Sequence, residues 1–174
     1  MKKSIQSLTI AAMLTAMSVV IGIFCKNFLN FGGGLFRITF ENMPIILSGI
    51  LFGPLFGAAV GIASDLISYL LSAQIYPPNL IVTLGAAAVG FVSGFIARVA
   101  IRKKGYAQIV ISSLFAHLIG SILIKSIGLY QFYGWAVFWR IPTYVLIVGV
   151  ELLILCLLYK NAAFRKIIDR NRDN

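Results

Sequence analysis

The chain has 174 residues, of which 60% are hydrophobic and only 11% are charged, and its mean hydropathy is +0.95. A soluble domain usually carries about 45–50% apolar and about 25% charged residues. This composition therefore excludes an ordinary soluble enzyme, and it equally excludes a disordered or collagen-like chain. The length predicts a single domain covering residues 1–174, and the surplus of hydrophobic residues indicates that it folds in a lipid bilayer.

The net charge is +10, from 15 Lys and Arg against 5 Asp and Glu. A basic balance often indicates nucleic-acid binding, but these cations alternate with hydrophobic runs that are too long for such a surface. The two cysteines, Cys25 and Cys156, lie in or beside apolar stretches without CxxC spacing, so neither a disulfide framework nor a zinc site is indicated. One histidine and two distant acids make no metal cluster, and we expect neither a metal nor a cofactor.

Apolar segments long enough to cross a membrane lie at about 5–25, 80–101, 107–128 and 141–159, since about 20 apolar residues span the hydrocarbon. The first is longer than a signal-peptide core and no cleavage site follows it, so we expect it to be retained. The stretch 42–72 is too long for one comfortable span and contains Gly53-Pro54. Because proline removes a backbone donor, this dipeptide either kinks one helix or joins two short ones.

Basic residues favour the second alternative. With a turn at Gly53-Pro54 the chain forms six transmembrane helices with both termini in the cytoplasm, and three basic clusters share the cytoplasmic side, where Lys and Arg are enriched. A single kinked helix would place the middle cluster outside. We therefore predict an all-α integral membrane protein of six helices, the second of them short at about 11 residues. The clusters are Lys2 and Lys3; Arg98, Arg102, Lys103 and Lys104; and Lys160, Arg165, Lys166, Arg170 and Arg172.

Four cations remain on the outer side, against the same rule, and they are Lys26, Arg37, Lys125 and Arg140. One explanation is that long side chains snorkel to the interface, which would suit Lys26 and Lys125. The other is an anion-binding mouth, because charges near the membrane interior are costly and tend to mark a site or a pair. Arginine suits carboxylates because its planar guanidinium binds them through two hydrogen bonds.

The outer loops are also rich in aromatic residues and glycine. Residues 130–139 read YQFYGWAVFW and include Trp135 and Trp139. They form either an interfacial belt or a surface for a flat heteroaromatic ligand that carries an acid group. The first outer loop contains Gly32–Gly34, and the backbone freedom of glycine would let this loop fold over a pocket as a lid.

Polar residues inside the predicted helices fall on three faces. We expect Asp65 and Glu151 to point inward, toward each other's helices or toward a ligand, because acids are costly in a membrane. A lone His117 is more often a satisfied core residue than a ligand. By helical spacing the faces are Ser64, Asp65, Ser68, Tyr69 and Ser72 on the third helix, Ser113, His117, Ser121 and Lys125 on the fifth, and Arg140, Tyr144 and Glu151 on the sixth.

Small residues recur at four-residue spacing, which permits close helix packing in lipid. Ordinary packing explains most of these pairs, but the first lies on the N-terminal helix, where a partner protein could dock. No phosphate-loop, GxSxG or HExxH motif occurs, so we expect a binding subunit that relies on others for energy rather than an enzyme. The pairs are Ala12/Ala16, Gly49/Gly53, Gly57/Gly61 and Gly90/Gly94.

Residues 38–71, ITFENMPIILSGILFGPLFGAAVGIASDLISYLL, resemble the second and third helices of the substrate-binding S components of energy-coupling-factor (ECF) vitamin transporters. The shared features are Met43-Pro44, the Gly-Pro turn at 53–54, the glycine-spaced helix and Asp65-Leu66. The following YPPNLIVTLGAAAVGFVSG at 76–94 is most similar to the folate-specific branch. Queuosine-precursor transporters share much of the glycine-rich hairpin, so the motifs are more specific for the superfamily than for the substrate.

The resemblance implies a multi-pass protein of a prokaryotic cell membrane that captures folate from outside. A separate transmembrane coupling subunit, which would dock at Ala12 and Ala16, and two ATPase subunits would then drive its release into the cytoplasm. For this ligand we expect the pteridine ring to stack on Trp135, Trp139 or Tyr69, and its donor edge to reach Asp65 or Asn79. We expect the glutamate carboxylates to meet Arg37, Arg140 and Lys26, with Tyr144 lining the wall.

Three alternatives remain open at this point. The nearest is an S component for a queuosine precursor or another vitamin, which would leave the outer cations unexplained if that substrate were neutral or cationic. A structural membrane protein with interfacial aromatics, snorkelling cations and no ligand comes from another class. An intramembrane enzyme would need Asp65 and Glu151 to face one cavity.

Overall fold

The computed structural model describes residues 2–31, 36–72, 78–101, 105–162, 164–165 and 167–168. Apart from one antiparallel pair of two-residue strands, its regular elements are helical. They are α1 (Lys2–Phe28), β1 (Asn30–Phe31), β2 (Phe36–Arg37), α2 (Asn42–Phe52), α3 (Pro54–Leu71), α4 (Leu80–Phe95), a π-helical turn (Ile96–Ala100), α5 (Tyr106–Ala116), a π-helical segment (His117–Ile124), α6 (Lys125–Tyr133), a 3-10 segment (Gly134–Trp139) and α7 (Arg140–Lys160).

Side-chain contacts fix which helix ends meet. Lys26 at the end of α1 contacts the end of α3, and Asn79 before α4 contacts Gly128 of α6. We call this the upper end of the bundle. At the lower end, Arg98 bonds the end of α2, and Tyr106 of α5 packs edge-on against Tyr159 of α7, with ring centroids 5.0 Å apart. The helices therefore run alternately up and down.

Four helical stretches are long and apolar enough to cross a membrane: Ile5–Phe28, Pro54–Leu71, Leu80–Ala100 and Tyr106–Lys160. The last contains 55 residues, which as one straight helix would measure about 80 Å, far more than the hydrocarbon thickness of about 30 Å. It reverses instead at Gly134, whose φ of 54° lies in the left-handed region that glycine adopts readily. α5 and α6 thus ascend, and α7 descends beside them.

The short helix α2 is the centre of the bundle. It contains 11 residues, and all of them except Met43 are buried. A helix that is apolar on every side is buried on every side, and α2 packs against α1, α3, α4 and α5. It ends at Gly53 because that residue has a φ of 98°, and Pro54 then begins α3. The predicted short second helix and its Gly-Pro turn are confirmed.

Glycines bring α2, α3 and α4 into backbone contact. A Cβ atom at Gly57 would strike the carbonyl of Gly90, and one at Gly90 would strike the carbonyl of Gly57. Gly49 leaves room in the same way for Ser93 and for the backbone at Gly90. Without a hydrophobic driving force between helices in lipid, such close approach supplies the van der Waals contact that holds them together. The predicted small-residue packing is confirmed for these glycines.

The helix boundaries differ from prediction in one place. The fifth helix was expected to end near residue 128 and residues 130–139 to form an outer loop. The structure shows helix to Tyr133 and a 3-10 segment from Gly134 to Trp139. Aromatic residues were assigned to a loop because of their interfacial preference, but that preference fixes a depth in the membrane and not a backbone conformation.

We predict that Gly90→Ala lowers the melting temperature of the detergent-solubilised protein, because the new methyl group forces α3 and α4 apart. Overpacking of this kind costs about 1–3 kcal/mol. Gly149→Ala is the matched control, since a Cβ at that exposed position of α7 meets nothing within 4 Å. Thermal unfolding followed by circular dichroism measures both, and equal melting temperatures for the two variants would contradict the close packing.

Candidate functional site

Polar and charged side chains gather in the interior near the upper end. The segment that enters α2, the ends of α1 and α3, the start of α4 and the upper parts of α6 and α7 contribute them. Inside a membrane bundle such a concentration is costly unless the groups satisfy one another or a ligand. It is the candidate substrate site.

Lys125 is the most enclosed lysine of this site. It begins α6, its side chain is only 7% exposed, and its Nζ donates to Asn42 Oδ1 at 3.0 Å and lies 3.6 Å from Glu41 Oε1. Asn42 also donates through Nδ2 to Ser121 Oγ at 3.2 Å. Of the two explanations for the outer cations, snorkelling to the interface does not fit Lys125, because the start of α2 presents two acceptors inside the bundle and the ammonium lies against them.

Lys26 is held at the same end by a different helix. It lies in the last turn of α1, is half-buried, and donates to the carbonyl of Ser68 and to Ser72 Oγ, both at 3.4 Å. These acceptors are the final turn of α3, where the helix dipole favours a positive charge. Lys26 therefore ties α1 to α3 at the rim of the site.

Arg140 begins α7 and is 6% exposed. Its guanidinium carbon lies 5.5 Å from the centroid of the Tyr144 ring, one helical turn further on, which is within cation–π range. In the part of the chain that the structure describes, no carboxylate lies within ion-pair distance of this guanidinium. Arg140 is thus a buried cation whose partner is an aromatic face, and Tyr144 beside it is 5% exposed.

Asp65 and Asn79 line the contact between α3, α4 and α6. Thr83 Oγ1 of α4 donates to Asp65 Oδ2 at 2.7 Å, so Asp65 points inward as expected but meets α4 rather than Glu151. Asn79 caps α4 by accepting from the amide of Ile81 at 2.9 Å, and it donates to the carbonyl of Gly128 at 2.7 Å. Hydrogen bonds within the chain therefore occupy both the oxygen and the nitrogen of the Asn79 amide, but only one oxygen of the Asp65 carboxylate.

The predicted aromatic residues are not brought together. Tyr69 is half-buried on α3. Trp135 and Trp139 are 75% and 73% exposed, and Trp135 packs with Tyr130 and Phe138 on the outside of the bundle, at centroid distances of 6.2 and 5.4 Å. This position is typical of an interfacial belt.

The first loop is only partly described. Arg37 pairs through its backbone with Asn30 across the two strands, and β2 lies against α7. This places its backbone beside the helix that carries Arg140, while its side chain lies outside the described residues. The predicted lid residues Gly32–Gly34 lie outside them as well.

Deeper in the bundle, His117 and Glu151 form a second polar pair. His117 Nε2 lies 2.6 Å from Glu151 Oε2, and the two side chains are 1% and 0% exposed. None of their four nitrogen and oxygen atoms has a partner in hydrogen-bond geometry among the described residues. Glu151 points inward as expected, but toward the π-helical segment and not toward Asp65.

Sequence reasoning missed Glu41 and Asn42 as site residues, and it placed Ser121 only on a polar face of the fifth helix. Their signal was present, because Glu41 and Asn42 precede an entirely apolar run, so a polar pair there must lie where that run enters the core. What could not be predicted is that Lys125, 83 positions after Asn42, contacts both Asn42 and Glu41. Within the described ranges, no group of three His, Cys, Asp or Glu could hold a metal ion.

The predicted docking pair lies on α1, earlier in the helix than the site residue Lys26. Ala12 and Ala16 are both exposed, and Leu8, Val20 and Phe24 continue the four-residue spacing with 63%, 67% and 55% exposure. We call these five residues the α1 outer face. A small-residue stripe flanked by large apolar side chains suits either lipid or another helix.

Comparison with known proteins identifies the fold and the family. The model of the family described as ECF transporter, substrate-specific component, matches residues 6–159. The solved structure of FolT bound with folic acid superposes with a TM-score of 0.64 and 21% sequence identity, covering 88% of this chain and 90% of that one. The comparison with curated proteins gave no match. The helical bundle therefore has a FolT-like fold, and the chain belongs to the family of substrate-specific components of ECF transporters.

Proposed function

We propose that this chain is the subunit that captures folate from the extracellular side for an ECF-type vitamin importer of a prokaryotic cell membrane. Its family supplies the role of a substrate-specific component. The likeness of its fold to FolT bound with folic acid supports folate as the substrate. An S component for a queuosine precursor or another vitamin is the alternative.

The observation that carries the choice of substrate is the isolation of Arg140. A cation removed from water is costly unless an opposite charge or a set of acceptors compensates it. The face of Tyr144 compensates it only in part, since a cation–π contact contributes about 0.5–2 kcal/mol. A ligand carboxylate would complete the site, and folate carries two.

The remaining contacts follow from this placement. We assign the glutamate carboxylates of folate to Arg140 and Lys26, with Arg37 from the first loop, and we add Lys125 to this set because it lies inside the site. Tyr144 would line the wall and Tyr69 would stack on the pteridine ring. Asp65, with one oxygen beyond its bond to Thr83, suits the donor edge better than Asn79. Trp135 and Trp139 would reach the ring only from the rim.

The proposed orientation uses the basic residues of the lower end. Arg98 and Lys160 lie there, and the enrichment of cations in cytoplasmic loops would turn that end to the cytoplasm. The chain would then cross the membrane as six helices with both termini inside, and the upper end would open outward. One domain would cover residues 1–174.

The proposed partners are a transmembrane coupling subunit and two ATPase subunits. The α1 outer face is the surface we assign to the coupling subunit, because Ala12 and Ala16 permit a second helix to approach closely. Energy for release would come from the ATPases, since this chain contains no phosphate-binding loop.

We predict that Arg140→Ala weakens folate binding about 10- to 100-fold, because a hydrogen bond to a charged group contributes about 1.5–3 kcal/mol. Binding of a pterin without carboxylates should change little. Titration calorimetry on the purified protein measures both ligands. Arg140→Lys should fall between wild type and the alanine variant, since it keeps the charge and loses the planar fork.

Lys160→Ala is the matched control, because it removes an exposed cation from the lower end. It should leave both affinities unchanged. Equal losses for folate and for the pterin in Arg140→Ala would argue against a carboxylate clamp. A queuosine precursor that binds more tightly than folate would establish the alternative substrate.

We also predict that Ala12→Trp and Ala16→Trp abolish assembly with the coupling subunit and leave folate affinity unchanged, since bulk on the α1 outer face blocks close helix approach without touching the site. Leu146→Trp, on an apolar position of α7 that is 72% exposed, is the control. Co-purification from cells that express all subunits measures assembly. Normal assembly of both alanine variants would exclude this face as the interface.

A further inference from the structure

Glu41 occupies an unusual position at the entrance to α2. Its backbone is anchored, because Ser18 Oγ of α1 donates to its carbonyl at 2.7 Å. Its side chain is 16% exposed and lies between α1 and α6. A carboxylate so placed within a set of cations needs an explanation, since a site for an anionic ligand would be expected to exclude acids.

The carboxylate of Glu41 covers the ammonium of Lys125. Glu41 Oε1 and Lys125 Nζ are 3.6 Å apart, which is longer than the 2.7–2.9 Å of a charge-assisted hydrogen bond. The short bond of Nζ goes instead to Asn42 Oδ1, at 3.0 Å. Glu41 is therefore a loose ion partner of Lys125, and Asn42 is the group that positions the ammonium.

Gly22 of α1 provides the space for this carboxylate. A Cβ atom at Gly22 would lie 2.8 Å from Glu41 Oε2, closer than real contacts allow. The acid thus sits in a recess formed by a missing side chain on one side and faces a lysine on the other. Lys125 thus has a carboxylate of its own chain beside it, whereas Arg140 has the ring of Tyr144.

We propose that Glu41 is an internal counter-ion: in the empty protein it holds the place of the substrate's carboxylate at Lys125, and an anionic substrate displaces it. This inference rests on the proposed function. The exchange replaces one carboxylate with another, so Lys125 stays compensated throughout while Glu41 turns toward the solvent that it already contacts. A ligand without a carboxylate supplies no negative charge for the Lys125 ammonium and leaves the Glu41–Lys125 pair intact.

The test compares Glu41→Gln, Lys125→Met and the double variant by calorimetry with three ligands: folate, a pterin without carboxylates, and p-aminobenzoyl-glutamate, which keeps the carboxylates and lacks the pterin. Removing the competing charge should tighten folate and p-aminobenzoyl-glutamate about five- to tenfold and leave the pterin unchanged, within the range of coupling between close charges. In the Lys125→Met background the same change at residue 41 should have no effect.

Unchanged or weaker binding of both carboxylate ligands to Glu41→Gln would overturn the proposal. An equal gain in the Lys125→Met background would do the same, because it would show a general charge effect rather than an exchange at Lys125. The proposed function fails separately, if wild type binds neither folate nor the pterin. In that case the melting temperature with and without p-aminobenzoyl-glutamate still tests the role of Glu41. If Glu41 competes with a carboxylate ligand, this compound raises the melting temperature of Glu41→Gln more than that of wild type. An equal rise in both proteins would overturn the proposal.

Discussion

The candidate site depends on the cost of keeping positive charge inside an apolar bundle. Lys125 and Arg140 are both nearly enclosed, and each meets that cost in its own way. Lys125 has an amide oxygen and a carboxylate of its own chain, whereas Arg140 has only the face of Tyr144 among the described residues. A buried charge that its own chain compensates only in part is costly for a membrane protein to keep. We propose that a ligand of opposite charge compensates Arg140.

The frame around these charges is built by backbone contact. The short helix α2 can enter the centre because glycines remove the side chains that would stand between it, α3 and α4. That position brings Glu41 and Asn42 to the level of Lys125. The burial of α2 thus has two consequences. It packs the helices tightly below the site, and it brings the polar residues Glu41 and Asn42 at its start into the interior.

Much of the fold follows from local signals. Gly53-Pro54 ends one helix and begins the next because one residue supplies a positive φ and the other supplies the first helical turn. Hydrophobic length gives the long helices, and four-residue spacing of small side chains gives the glycine contacts. The assignment of residues 130–139 to a loop failed because hydropathy and aromatic content report depth in the membrane and carry little information on backbone conformation.

The sequence by itself determined that the chain is helical, where α2 must end, which faces of the helices are polar, and that Arg140 and Tyr144 lie one turn apart. These properties depend on neighbours within a few residues. Only the tertiary structure decided that Lys125 turns inward to Asn42 and Glu41, that His117 meets Glu151, and that the tryptophans face outward. Each of these depends on which distant helix stands opposite. The direction of a long side chain in a membrane is set by the acceptors it finds there and not by its own helical spacing.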